Sequence, residues 1–90
     1  MSTIRRHIVV RGRVLGVGFR WSCKDQADML GIAGWVRNQP DGTVEVVAEG
    51  EDRCVNQLVG WCRQGPRHAL VTDVEVSTEQ PLGEPEFNIS

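Results

Sequence analysis

The sequence predicts an α+β sandwich, βαββαβ in element order, whose antiparallel sheet carries two helices on one face. Three observations predict it. Hydrophobic periodicity switches from strand-like to helix-like and back twice along the chain. Glycines punctuate the switches, at Gly12–Gly18, Gly31, Gly42 and Gly65. The length, 90 residues and 10.0 kDa, suits one domain over residues 1–90. A chain of that size buries roughly 60–65% of its extended surface, enough for one two-layer core.

Ile4 to Val10 is rich in β-branched residues and reads as the first strand. It runs into Gly12-Arg13-Val14-Leu15-Gly16-Val17-Gly18, a loop with three glycines in seven residues. Phe19, Cys23, Ala27 and Leu30 then recur at helical spacing, and Gly31 stops that helix. Ile32 to Arg37 reads as a second strand. Gln39-Pro40-Asp41-Gly42 suits a tight turn, with proline second and glycine fourth. Thr43 to Glu49 alternates, setting Val44, Val46 and Ala48 against Glu45, Val47 and Glu49, so the two strands form a hairpin.

Glu51 and Asp52 place acid in the first turn of a second helix, where the helix dipole favours it. Cys54, Val55, Leu58, Trp61 and Cys62 are its apolar face, and Gly65-Pro66 ends it. Leu70 to Ser77 alternates again, with Leu70, Thr72, Val74 and Val76 opposite Val71, Asp73 and Glu75. After the break from Pro81 to Pro85, Phe87 and Ile89 form a short last strand. This order is the split βαβ, or ferredoxin-like, pattern. The pattern hosts many functions, so function is argued from the site.

Composition narrows the function classes. At 40% hydrophobic and 24% charged, the chain has the balance of a globular domain and not of a disordered one. No apolar run approaches the roughly 20 residues of a membrane span. The basic Met1–Arg6 segment is followed only by Ile8–Val10, too short a run for a secretory signal. Cys23, Cys54 and Cys62 are an odd set without a CxxC pair, which points to free thiols in a reducing compartment and away from zinc. Asn88-Ile89-Ser90 matches a glycosylation pattern, but without an export signal it reads as chance.

A net charge of −2, a pI near 5.6 and five aromatic residues argue against a nucleic-acid module. The charge is uneven: residues 1–45 hold seven basic and four acidic side chains, +3, and residues 46–90 hold three and eight, −5. Nine of the ten basic residues are arginine, whose fixed fork matches phosphate and carboxylate.

The glycine-rich loop is the leading candidate for chemistry. Between a strand and a helix, its N–H groups can form an anion-binding nest reinforced by the helix dipole. It lacks GK[ST] and the dinucleotide glycine spacing, so it is neither a P-loop nor a Rossmann turn. Arg20 opens the helix directly after the loop, where a guanidinium can close over a phosphoryl group. Arg11 and Arg13 read as exposed. Asn38 ends the second strand, and its amide both donates and accepts, which suits orienting a water.

The run Gly12-Arg13-Val14-Leu15-Gly16-Val17-Gly18-Phe19-Arg20, followed by Ala27, Leu30-Gly31, Gly34-Trp35-Val36-Arg37-Asn38 and Asp41-Gly42, resembles the acylphosphatases. The resemblance covers essentially the whole chain and rests on two separate motifs at matching spacing. It implies a small cytoplasmic hydrolase of carboxyl–phosphate anhydrides, monomeric, acting on a small-molecule acyl phosphate. It implies that the backbone of Leu15, Gly16, Val17, Gly18 and Phe19 binds the phosphoryl group, or inorganic phosphate in its place. Arg20 would hold the phosphate and Asn38 the attacking water, with no metal and no cofactor. One departure stands out: the family usually has Gln after the valine of the loop, where this chain has Leu15. The change removes a polar side chain but no backbone N–H, so activity is expected to survive with a less rigid loop. A second reading keeps the fold without the catalysis: a module binding carbamoyl phosphate or another phosphorylated ligand within a larger maturation machine.

Overall fold

The computed structural model describes residues 2–90. Its elements are β1 (Thr3–Arg13), α1 (Phe19–Leu30), β2 (Ala33–Asn38), β3 (Val44–Glu51), α2 (Asp52–Gln64), β4 (Leu70–Glu79) and β5 (Phe87–Ile89). The strands lie in the order β4-β1-β3-β2-β5.

Cross-strand register builds one apolar face. Ile8 pairs with Val46, Val10 with Val44 and Val36 with Val46, and all five side chains are fully buried. Onto that face α1 brings Phe19, Cys23 and Ala27, and α2 brings Val55, Leu58 and Cys62, in one continuous core. Fully burying an aliphatic or aromatic side chain contributes about 1.5–3 kcal/mol. That packing, more than intrinsic propensity, holds helices this short. The ring of Phe19 meets Trp61 edge-on at 5.2 Å, which fixes the start of α1 against α2.

Three features differ from the sequence expectation. First, the sheet is antiparallel through its first four strands, but β5 runs parallel to β2, pairing Gly34 with Phe87 and Val36 with Ile89. The chain leaves β4 at one edge, crosses the face away from the helices and reaches the opposite edge pointing along β2. The sheet is therefore mixed.

Second, β1 continues through Gly12 and Arg13, which pair with Val71 and Leu70. The absence of a side chain at Gly12 lets the Leu70 carbonyl approach its backbone closely. The loop is thus shorter than the glycine count suggested. At this point the register shifts: Arg11 faces Asp73 and Gly12 faces Val71, so Thr72 is an extra residue in β4. One extra residue reverses the side-chain alternation. Val71 and Val74, expected on opposite faces, both pack against the core.

Third, β3 is buried on both faces from Val44 to Glu49. Glu45 and Glu49, which alternation would give to solvent, lie beneath His7 and Arg37 and beneath Arg5 and residues 82–84 respectively.

Cys23 and Cys62 face each other across the helix pair, and both are fully buried. A hydrogen bond with Cys62, together with burial, pushes the Cys23 thiol well above its ordinary range. Thiolate is the reactive form. Iodoacetamide is therefore expected to modify the half-buried Cys54 first, and Cys23 and Cys62 only after unfolding. Mass spectrometry of timed samples checks this; equal rates at all three would contradict it.

Candidate active site

Residues 14–18 connect β1 to α1 and bend twice through left-handed glycines, Gly16 at φ 72° and Gly18 at φ 75°. A Cβ at either position meets no neighbour within 4 Å, so these glycines serve backbone conformation and not packing. Buried Val14 and Phe19 anchor the two ends of the loop in the core, and half-buried Val17 packs beside them. The backbone between these anchors is exposed at Leu15, Gly16 and Gly18.

Helix α1 starts without the features that ordinarily satisfy a helix N-terminus. Its cap is Gly18, no side chain caps it and its first turn holds no acidic residue. The first amide to reach a carbonyl is that of Ser22, which donates to Gly18 O at 3.1 Å. Among the described residues, the backbone N–H groups of Leu15, Gly16, Val17, Gly18, Phe19 and Arg20 donate to no protein acceptor. Into this already positive end the sequence places a cation, Arg20. A cation there opposes the helix dipole, an arrangement that an anion at the same place would offset.

Arg20 is half-buried, and its Nη1 donates to the Ser90 carbonyl at 3.3 Å. Ser90 N–H donates to Val36 O at 2.8 Å, so the guanidinium is tied to the strand that carries Asn38. Arg5, Arg11, Lys24 and Arg37 all pair with carboxylates. Arg20 has no carboxylate partner among the described residues. Arg5 and Arg11 pair with acids of the other chain half and so join β1 to β3, β4 and the β4–β5 connection, whereas Lys24 pairs within α1 and Arg37 joins β2 to β3.

Asn38 ends β2 opposite Val44. The turn beyond it is rigid: Gly42 N–H donates to Gln39 O at 3.0 Å and Gln39 N–H to Thr43 O at 2.8 Å. Asp41 Oδ1 accepts from Thr43 N–H at 3.0 Å and from its hydroxyl at 2.7 Å. These bonds hold the Asp41 carboxyl below its usual range.

A cleft of about 240 Å³ is lined by Val14, Gly16, Gly18, Phe19, Arg20, Trp21 and Asn38. It brings together five of the seven residues singled out in the sequence. Leu15 and Val17 belong to the same loop but do not line it. Arg20 is the one ionisable side chain in that lining. Trp21 was not singled out; its signal was an indole directly after Arg20, off the Phe19/Cys23/Ala27 face.

Fold and cleft define the class: a small α+β domain whose cleft opens at the N-terminus of a helix. The acylphosphatase family model matches residues 6–89. A curated acylphosphatase from Thermococcus kodakarensis is 53% identical over 99% of this chain and 98% of its own length. The solved acylphosphatase of Coxiella burnetii superposes at a TM-score of 0.95, with 34% identity over 99% of this chain and 94% of that one. Full-length HypF, solved in a phosphate- and nucleotide-bound form, shares the fold over 99% of this chain and 12% of its own, at TM-score 0.92 and 22% identity. The chain belongs to the acylphosphatase family and is an enzyme of acyl phosphate hydrolysis. No helix among the described residues is long and apolar enough to cross a membrane.

Proposed function

We propose that the chain hydrolyses the carboxyl–phosphate anhydride bond of small acyl phosphates to a carboxylate and inorganic phosphate, using the cleft at the start of α1. The observation that carries this reading is the row of unpartnered N–H groups from Leu15 to Arg20, in the loop and first turn that supply Gly16, Gly18, Phe19 and Arg20 to a cleft shared with Asn38. In this reading the N–H groups of Leu15–Phe19 and the Arg20 fork hold the phosphoryl oxygens. The Asn38 amide orients a water in line with the bond to be broken.

The chemistry matches the absence of an acid–base pair in the lining. The water oxygen forms a bond to phosphorus as the bond from phosphorus to the acyl oxygen breaks. The leaving carboxylate has a parent acid of pKa about 4, so it departs with both electrons and needs no proton. The water's proton passes to a phosphoryl oxygen of the substrate. Charge spreads over the phosphoryl oxygens in the transition state. Fixed amide dipoles and one guanidinium stabilise it without reorganising.

The reading includes a monomeric, single-domain enzyme that needs no metal or cofactor. It includes a cytoplasmic location, supported by three unpaired cysteines. Benzoyl phosphate hydrolysis, assayed with and without EDTA, tests it: activity unaffected by the chelator is the expected result, and no hydrolysis overturns it. Asn38→Ala is expected to lower kcat by about 10- to 100-fold, as for loss of one positioning contact. Competitive inhibition by inorganic phosphate is expected to persist in that variant. Weakened phosphate inhibition with an intact kcat would remove the water from Asn38.

A further inference from the structure

The proposed chemistry uses only one end of the substrate. The phosphoryl group is charged and compact; the acyl group beyond its carbonyl is uncharged in simple acyl phosphates and apolar where it carries an alkyl or aryl group. The loop amides, Arg20 and Asn38 account for the first end. For the second, the cleft offers Trp21.

Trp21 sits in the first turn of α1, beside Arg20, with 66% of its surface exposed. The other two tryptophans have partners: Trp61 packs against Phe19 at 5.2 Å, and Trp35 lies beneath the Arg37 guanidinium at 5.0 Å. Trp21 makes neither kind of contact among the described residues. An indole left this open forgoes the stabilisation that burial brings to the largest apolar side chain. It cannot turn into the core, because Phe19 and Cys23 already fill the buried face of this turn. Trp21 is the exposed large apolar side chain of the cleft lining, and that lining contains no carboxylate that would favour a cationic acyl group.

We infer that Trp21 forms an acyl-group subsite, so that the enzyme selects acyl phosphates bearing a flat aromatic or extended apolar acyl group over those bearing only a methyl. The inference rests on the phosphoryl-binding reading above. With the phosphoryl group seated on the loop, the acyl group projects from the cleft mouth, where the indole face is the apolar surface next to Arg20. Contact there is equal in the ground and transition states, since the acyl group does not change shape. It therefore acts on KM and not on kcat.

The test measures kcat and KM for benzoyl phosphate and acetyl phosphate in the wild type, Trp21→Ala and Trp21→Phe, with inorganic phosphate inhibition alongside. Trp21→Ala is expected to lower kcat/KM for benzoyl phosphate by about fivefold, the scale of one lost aromatic contact, through KM. The loss on acetyl phosphate is expected to be several-fold smaller, and Trp21→Phe to recover most of the benzoyl activity. An equal loss on both substrates, or weakened phosphate inhibition, would make Trp21 a support of the loop and overturn the subsite. Unchanged benzoyl kinetics would overturn it as well. A wild type that hydrolyses neither compound would instead overturn the proposed function, and the subsite with it.

Discussion

Arg20→Ala is expected to lower kcat/KM for acyl phosphate hydrolysis by at least about 100-fold, the scale for removing one preorganised charge-stabilising group. The geometry makes the loss hard to compensate. Arg20 is the one ionisable side chain lining the cleft; Arg11, Lys24 and Arg37 are engaged by carboxylates, and Arg13, next to the loop, does not line it. Arg20→Lys keeps the charge but not the planar fork, so it is expected to recover only part of the activity. The folded state should barely register the change. A cation in the first turn of a helix opposes the dipole, and its one protein hydrogen bond is the 3.3 Å contact to Ser90. Thermal unfolding of Arg20→Ala is thus expected at or slightly above the wild-type midpoint. Near-wild-type kcat/KM, or lost activity that tracks lost stability, would contradict the assignment.

Glu49→Ala is expected to produce the largest change in stability, about 3 kcal/mol, from three orphaned amides and the loss of the buried partner of Arg5. Its carboxylate accepts from Leu82 N–H at 2.8 Å, Gly83 N–H at 2.7 Å and Glu84 N–H at 3.0 Å, and pairs with Arg5 at 3.1 Å. Arg5 is itself buried and reaches Glu79 at 2.8 Å and Glu84 at 2.9 Å. One carboxylate therefore fastens the β4–β5 connection to the centre of the sheet. For a domain of this size the predicted loss is a fall in melting temperature of roughly 15 °C. Glu49→Gln keeps an acceptor oxygen and is expected to cost less.

The same group gives a signed pH effect. Burial pushes the Glu49 carboxyl up, but the three N–H groups and Arg5 outweigh it and leave the carboxyl below its ordinary 4.5. The folded state then holds the proton less tightly than the unfolded state. Its contribution is present above that ordinary value and is lost as pH falls below it. Denaturant titrations between about pH 6 and pH 3 should show a steeper loss in the wild type than in Glu49→Gln; identical slopes would contradict it.

Much of the end of the molecule that holds the cleft was legible because its signals are local. Phe19, Cys23 and Ala27 lie on one helical face within three turns, and all three are buried. The Pro40-Asp41-Gly42 turn closes as its residue types require, and it fixes Asn38 in place. The loop glycines take the left-handed conformations that a strand-to-helix turn demands. Trp21 escaped notice because an aromatic off the buried face is locally indistinguishable from ordinary surface.

What the sequence by itself determined was the element order, the apolar faces of β3 and both helices, and the loop, Arg20 and Asn38 as a candidate set. Each follows from residue types a few positions apart, where backbone periodicity and turn chemistry act. Only the tertiary structure decided the parallel pairing of β5 with β2, the extra residue in β4 that turns Val71 inward and the burial of Glu49 beneath residues 82–84. Those depend on contacts between residues 33 to 79 positions apart, such as Arg5 with Glu49, Glu79 and Glu84. Alternation along one strand shows that two side chains share a face; it does not show what the rest of the chain will lay across it.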